Sequence, residues 1–216
     1  MPTNALNTLI VRHLADIDGA AKHLYEVVEE QIGNAIGDVV KDWAKGLDLK
    51  GEFDYPDGVL WFGPAEWQVS DAKREEWYFY WEFGPGEDDS FEQPGEGKDF
   101  FWLTRLCGQG RGTLGFRLHC NYQFFQQGAK AWRSFMAEQA WRFRERGFNF
   151  EQGRGQLFLP VHVDPESLAK TFEESGQVVD ALDPIVAALS TIYDARQSFD
   201  QLLSHAKQSL GVRAQS

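Results

Sequence analysis

From Leu6 to Trp43 apolar residues return every three or four positions, at Leu6, Leu9, Ile10, Ile17, Leu24, Val28, Ile32, Ile36, Val39 and Trp43, with Asp, Glu and Lys between them. That period belongs to an amphipathic helix. It predicts a helical segment over about 4–46, capped by Thr3 or Asn4 and closed by Gly46. Gly19, Gly33 and Gly37 each cost about 1 kcal/mol relative to Ala. One helix of about 60 Å and two helices broken near Gly19 both satisfy the pattern.

Beyond Gly46 the period shortens. Gly51–Phe62, Glu76–Phe83, Asp99–Cys107, Thr113–Cys120 and Gln156–Val163 read as strands, separated by turn-forming runs such as Tyr55-Pro56-Asp57-Gly58, Gly84-Pro85-Gly86 and Gly153-Arg154-Gly155. Short connections imply antiparallel neighbours. Trp77-Tyr78-Phe79-Tyr80-Trp81-Glu82-Phe83 is aromatic on both alternating faces, so it predicts a central strand covered by helices or, as the alternative, the aromatic lining of a groove for a sugar or base. A helix over about 126–146, ended by Gly147, lies between the fourth and fifth strands.

The chain then turns helical again over 165–211. Asp164-Pro165-Glu166 and Asp183-Pro184 are start signals: a capping Asp, then Pro at the first helical position. Ile185, Leu189, Ile192, Phe199, Leu203, Ala206 and Leu210 form one apolar stripe. The sum is a single α+β domain over 1–216, an antiparallel sheet of about five strands packed with long amphipathic helices at both ends and one inserted helix.

Composition narrows the partners. The 216 residues carry a net charge of −12, a poor starting point for embracing nucleic acid with the whole surface. Yet residues 105–154 hold nine basic side chains (Arg105, Arg111, Arg117, Lys130, Arg133, Arg142, Arg144, Arg146, Arg154) against three acidic ones (Glu138, Glu145, Glu151). The remainder of the chain is correspondingly more acidic than the whole, so one side alone is suited to an anionic partner. The sequence shows no apolar run of the roughly 20 residues a bilayer needs and no leader pattern at Met1-Pro2-Thr3-Asn4, so a cytoplasmic protein without membrane contact is expected. Cys107 and Cys120 flank Gly108-Gln109-Gly110-Arg111-Gly112, read as a hairpin turn; about seven residues of strand would hold them roughly 20 Å apart, as free thiols.

Two sets of residues could carry function. On the inserted helix Trp132, Phe135, Met136, Ala140 and Phe143 share one face, while Trp141 falls nearly opposite, in a sector with Lys130, Arg133, Arg144 and Glu145 and next to Arg142. An indole among guanidinium groups is a partner-contact signature and also suits stacking on a base. Separately, Asp57, Asp71 and Lys73 fit the PD…(D/E)xK spacing, in which two acids bind a divalent cation and a lysine positions water. Here the second acid and the lysine fall in the polar run Ser70–Glu76 instead of an apolar strand. His13, Asp16 and His23 match no zinc signature, His119 and Cys120 point to opposite sheet faces, and no Gly-x-Ser-x-Gly elbow occurs. No cofactor or metal is expected. The leading expectation is a non-catalytic binding or regulatory protein that acts through a protein partner and self-associates through its terminal helices. Nucleic-acid binding by the 105–154 face and metal-dependent hydrolysis are the alternatives.

Overall fold

The structure is a computed structural model describing residues 3–69, 76–86, 99–174 and 176–213. Asp71, Lys73 and the acidic stretch Glu87–Glu96 lie outside the described residues. The fold is α+β, with helices packed on an antiparallel sheet of six strands.

The N-terminal segment is helical from Thr3 to Gly46, but its interruptions are not at Gly19. α1 (Thr3–Arg12) and α2 (Leu14–His23) meet at His13, whose φ of −115° and ψ of 26° leave the helical region. A π-helical turn over Leu24–Val28 then leads into α3 (Glu29–Gly46). α3 is anchored by Ile32, Ile36, Val40 and Ala44, all fully buried. Residues 4–20, by contrast, are exposed throughout, so the first part of the segment is an arm that stands off the body.

β1 (Leu49–Phe53) and β2 (Leu60–Pro64) form a hairpin, which divides the stretch 51–62 at its Tyr55–Gly58 turn. β3 (Phe79–Pro85) follows, then β4 (Leu114–Cys120), β5 (Asn149–Glu151) and β6 (Gln156–Val161), in the order β1-β2-β3-β4-β6-β5 with every pair antiparallel. β3 is central, and its aromatic side chains on both faces are buried. Phe62, Phe79, Trp81, Phe116 and Leu118 face the helices.

Residues 99–107 are not a strand. Trp102–Leu106 is a short helix, α4, because the carboxylate of Glu29 accepts the N–H of Leu103 at 3.1 Å and so caps it from α3. The Gly108–Gly112 run is therefore a helix-to-strand connection and not a hairpin turn. Asp99 Oδ2 accepts the N–H groups of Arg111 and Gly112 there, and sits 3.5 Å from the buried Arg105. Cys107 and Cys120 are nevertheless both free and buried.

The inserted helix is α5 (Gly128–Gln139) continued, after a step at Ala140, by α6 (Trp141–Arg144). At the C-terminal end come α7 (Pro165–Glu174), α8 (Asp183–Asp194) and α9 (Arg196–Leu210). Asp164 caps α7 as its sequence implies, its Oδ2 accepting from Ser167 N–H at 3.0 Å and Ser167 Oγ at 2.9 Å. Asp183 is instead the first residue of α8, with Leu182 in the cap position. All seven stripe residues from Ile185 to Leu210 are buried. Phe199 sits at the centre of the packing, stacked on Phe143 at 4.7 Å and edge-on to Trp81 at 5.1 Å. The C-terminal stripe is thus spent on the sheet, and the exposed apolar stripe on the helical ends is that of the N-terminal arm. No described helix is long and apolar enough to cross a membrane.

Candidate partner-binding surface

The body of α5 is fixed by its inner face. Trp132 is buried, stacks on Phe125 at 5.9 Å, and donates its indole N–H to Gly155 O at 2.9 Å. Gly155, at φ +67°, lies in the β5–β6 turn, and Arg133 reaches the same turn, donating to Gly153 O at 3.2 Å. At the far end Gly147 adopts φ +87°, which ends the helix and turns Phe148 into the core against Trp81. β5 then runs back along α6.

This arrangement leaves Trp141 outside. It is 70% exposed, whereas five of the chain's eight tryptophans are buried and Trp43 and Trp102 are partly so. Arg142 places its guanidinium carbon 5.9 Å from the indole centroid, a cation–π arrangement that holds the ring's outer face polar and positive. Below the indole is an open cleft of about 330 Å³, lined by Ala137, Ala140, Trp141, Arg144, Phe148, Asn149 and Phe150. Lys130, Arg133, Trp141 and Arg144 are all exposed and follow one helical sector, spanning roughly 20 Å along the axis at 1.5 Å per residue. Among the described residues none of Lys130, Arg133, Arg142 and Arg144 forms an ion pair. Glu138 and Glu145, also exposed, edge the patch with negative charge.

Three of the nine basic residues of the 105–154 window do not belong to this surface, and Arg111 is one of them, in the connection between α4 and β4. Arg105 is buried beside Asp99, and Arg117 is buried with Glu151, its Nε donating to Oε2 at 2.7 Å and its terminal nitrogen to Oε1 at 3.1 Å. Their charges are neutralised inside the fold. The other wall of the Trp141 cleft, Phe148–Phe150, escapes the sequence pattern because β5 is only three residues long.

Asp57 is exposed in the β1–β2 turn, on the rim of a cleft of about 350 Å³ shared with Tyr25, Glu26, Glu29, Glu30 and Trp102. The partners the nuclease pattern gives it, Asp71 and Lys73, are outside the described residues. Glu29 is committed to capping α4, and burial raises its pKa while the N–H groups of Leu103 and Trp102 draw it partly back. His13 meets Asp16 at 3.3 Å on the exposed arm. Among the described residues no three His, Cys, Asp or Glu side chains gather to hold a metal ion.

On the sheet face away from the helices, His119 stacks on Tyr80 at 4.9 Å and lies 3.4 Å from Glu82, while Cys120 points into the core. The two residues are thus on opposite sides of β4. Comparison with known proteins finds no match: no family model, no curated protein and no solved structure resembles this chain.

Proposed function

We propose that this protein is a non-catalytic binding protein whose α5–α6 face, centred on Trp141, docks on an acidic surface of a protein partner. The exposed indole, backed by Arg142 and set over an apolar cleft, carries the reading. Trp and Arg concentrate binding energy when a partner excludes water from them. Arginines that have no carboxylate of their own to satisfy keep their donors for that partner. An acidic protein is favoured over a nucleic acid because the positive patch is short and bounded by Glu138 and Glu145, which suits a local acidic spot, whereas an extended phosphate backbone would also run along the rest of a chain at −12.

The test is titration of the chain with poly-glutamate and with single- and double-stranded oligonucleotides, from low to physiological salt. Binding of poly-glutamate that weakens with salt, and by tenfold or more in Arg142→Glu/Arg144→Glu and in Trp141→Ala, is expected. Oligonucleotide binding with the same sensitivities would replace the protein partner by a nucleic acid. Indifference to both probes at low salt would overturn the reading.

A further inference from the structure

We infer that the N-terminal arm pairs antiparallel with the arm of a second copy, each tip filling a cleft at the root of the other. The inference rests on residues remote from Trp141 and stands without that reading.

Leu6, Ile10, Leu14 and Ile17 stand exposed along the arm, and their three-to-four spacing runs on through Leu24 and Val28 to Ile32. At its root the stripe becomes one wall of a cleft of about 330 Å³, whose other wall is α4 and α7: Leu103, Cys107, Leu168 and Phe172. The cleft is therefore apolar and lies in line with the stripe. A second arm laid antiparallel and centred on Ile17 brings Leu6 opposite Val28 and Ile10 opposite Leu24. That places the tip of each copy in the cleft of the other, twice, by one twofold axis. A parallel pair would crowd both bodies at one end and leave both clefts open.

Charge selects this occupant. The stripe sector carries none, and the outer side of the arm mixes signs: Arg12 and Lys22 against Asp16, Asp18 and Glu26. A membrane-surface helix has a Lys/Arg-rich polar face, which this arm lacks. Half-exposed Leu and Ile side chains offer on the order of 100 Å² each, so the four stripe residues of one arm bring on the order of 400 Å² per copy, the size of a reversible contact that the open cleft enlarges. Ala20 and Ala21, beside Gly19, keep the middle of the arm slim enough for close approach.

The full chain is tested by sedimentation velocity between about 1 and 50 µM, with cysteine cross-linking. A twofold mass is expected, reverting to monomer in Ile10→Asp/Ile17→Asp with the near-ultraviolet dichroism of the aromatic core unchanged. Because Cys107 lines the cleft that the tip enters, the cross-linking uses a Cys107→Ala background in which Cys120 stays buried: there Ile17→Cys forms a disulfide-linked dimer under mild oxidation and Leu6→Cys does not. A monomer across the range overturns the inference. So does cross-linking of Leu6→Cys as readily as Ile17→Cys, which marks a parallel pair, or binding of anionic vesicles by a chain that stays monomeric.

Discussion

Trp132 and Trp141 point to opposite sides of one helical segment, the first 2% exposed and the second 70%. Nine residues at about 100° each put them half a turn apart, so the fold uses one indole and leaves the other. Trp132→Ala removes a core ring and its hydrogen bond to Gly155, and is expected to cost about 3–5 kcal/mol. Trp141→Ala is expected to cost less than about 1 kcal/mol. Urea unfolding of both variants checks this; similar large losses would show that Trp141 is covered.

The buried Arg117–Glu151 pair gives a second prediction. Glu151→Gln leaves a guanidinium with only part of its partnership in a closed environment, at an expected cost of about 3–5 kcal/mol. Arg117→Met combined with Glu151→Leu is expected to recover most of that loss, since two apolar groups have no charge to desolvate. A double variant as unstable as the single one would show that the pair contributes more than its burial costs.

Glu29 sets a pH dependence. Burial holds its pKa above the ordinary value of 4.5, so the fold favours the protonated acid. The stability tied to that proton is complete below about pH 4 and is lost as pH rises through the raised folded value. Glu29→Gln keeps an acceptor for Leu103 and carries no charge. Compared by denaturant melts from pH 4 to 7, the variant is expected to gain on the parent as pH rises; a constant difference would dismiss the mechanism.

Asp164 works in the opposite sense. The Ser167 hydroxyl and then its N–H hold the carboxylate below its ordinary 3.8. Its contribution is present above that value and disappears as pH falls through the lowered one. Asp164→Ala should therefore lower the melting temperature at pH 7 and converge with the parent as pH falls through the lowered value.

Two glycines of the N-terminal helices separate propensity from packing. A Cβ on Gly19 meets nothing within 4 Å, whereas one on Gly33 would lie 2.5 Å from Pro56 Cδ. Gly19→Ala is expected to gain up to about 1 kcal/mol of helix stability, and Gly33→Ala to destabilise despite the same propensity gain. Circular dichroism melts distinguish the two.

Gly33 also shows what sequence could and could not reveal. Its cost to the helix is legible in one residue; the Tyr55-Pro56 turn that needs the space is reached only through the tertiary fold. The same holds for residues 99–107. Their aromatic content favours a strand, and α4 forms because Glu29, far away in the chain, caps it and because Asp99 sits beside Arg105. Signals contained within one turn were legible without the fold: Asp164 before Pro165, Gly147 after the helix, and the half-turn offset of Trp141. The arm's exposure was not, since a stripe on Leu6–Ile17 has the same period as the buried stripe on Ile185–Leu210. Only the number of surfaces available to receive them distinguishes the two.

The outermost strands of the sheet are poor templates for further strands. β5 ends after three residues, and β1 presents the charged side chains of Lys50 and Glu52 along its length. Neither offers a long flat run of free backbone donors and acceptors on which another molecule could nucleate an extended ribbon. Both margins of the sheet therefore disfavour the lateral addition of further strands.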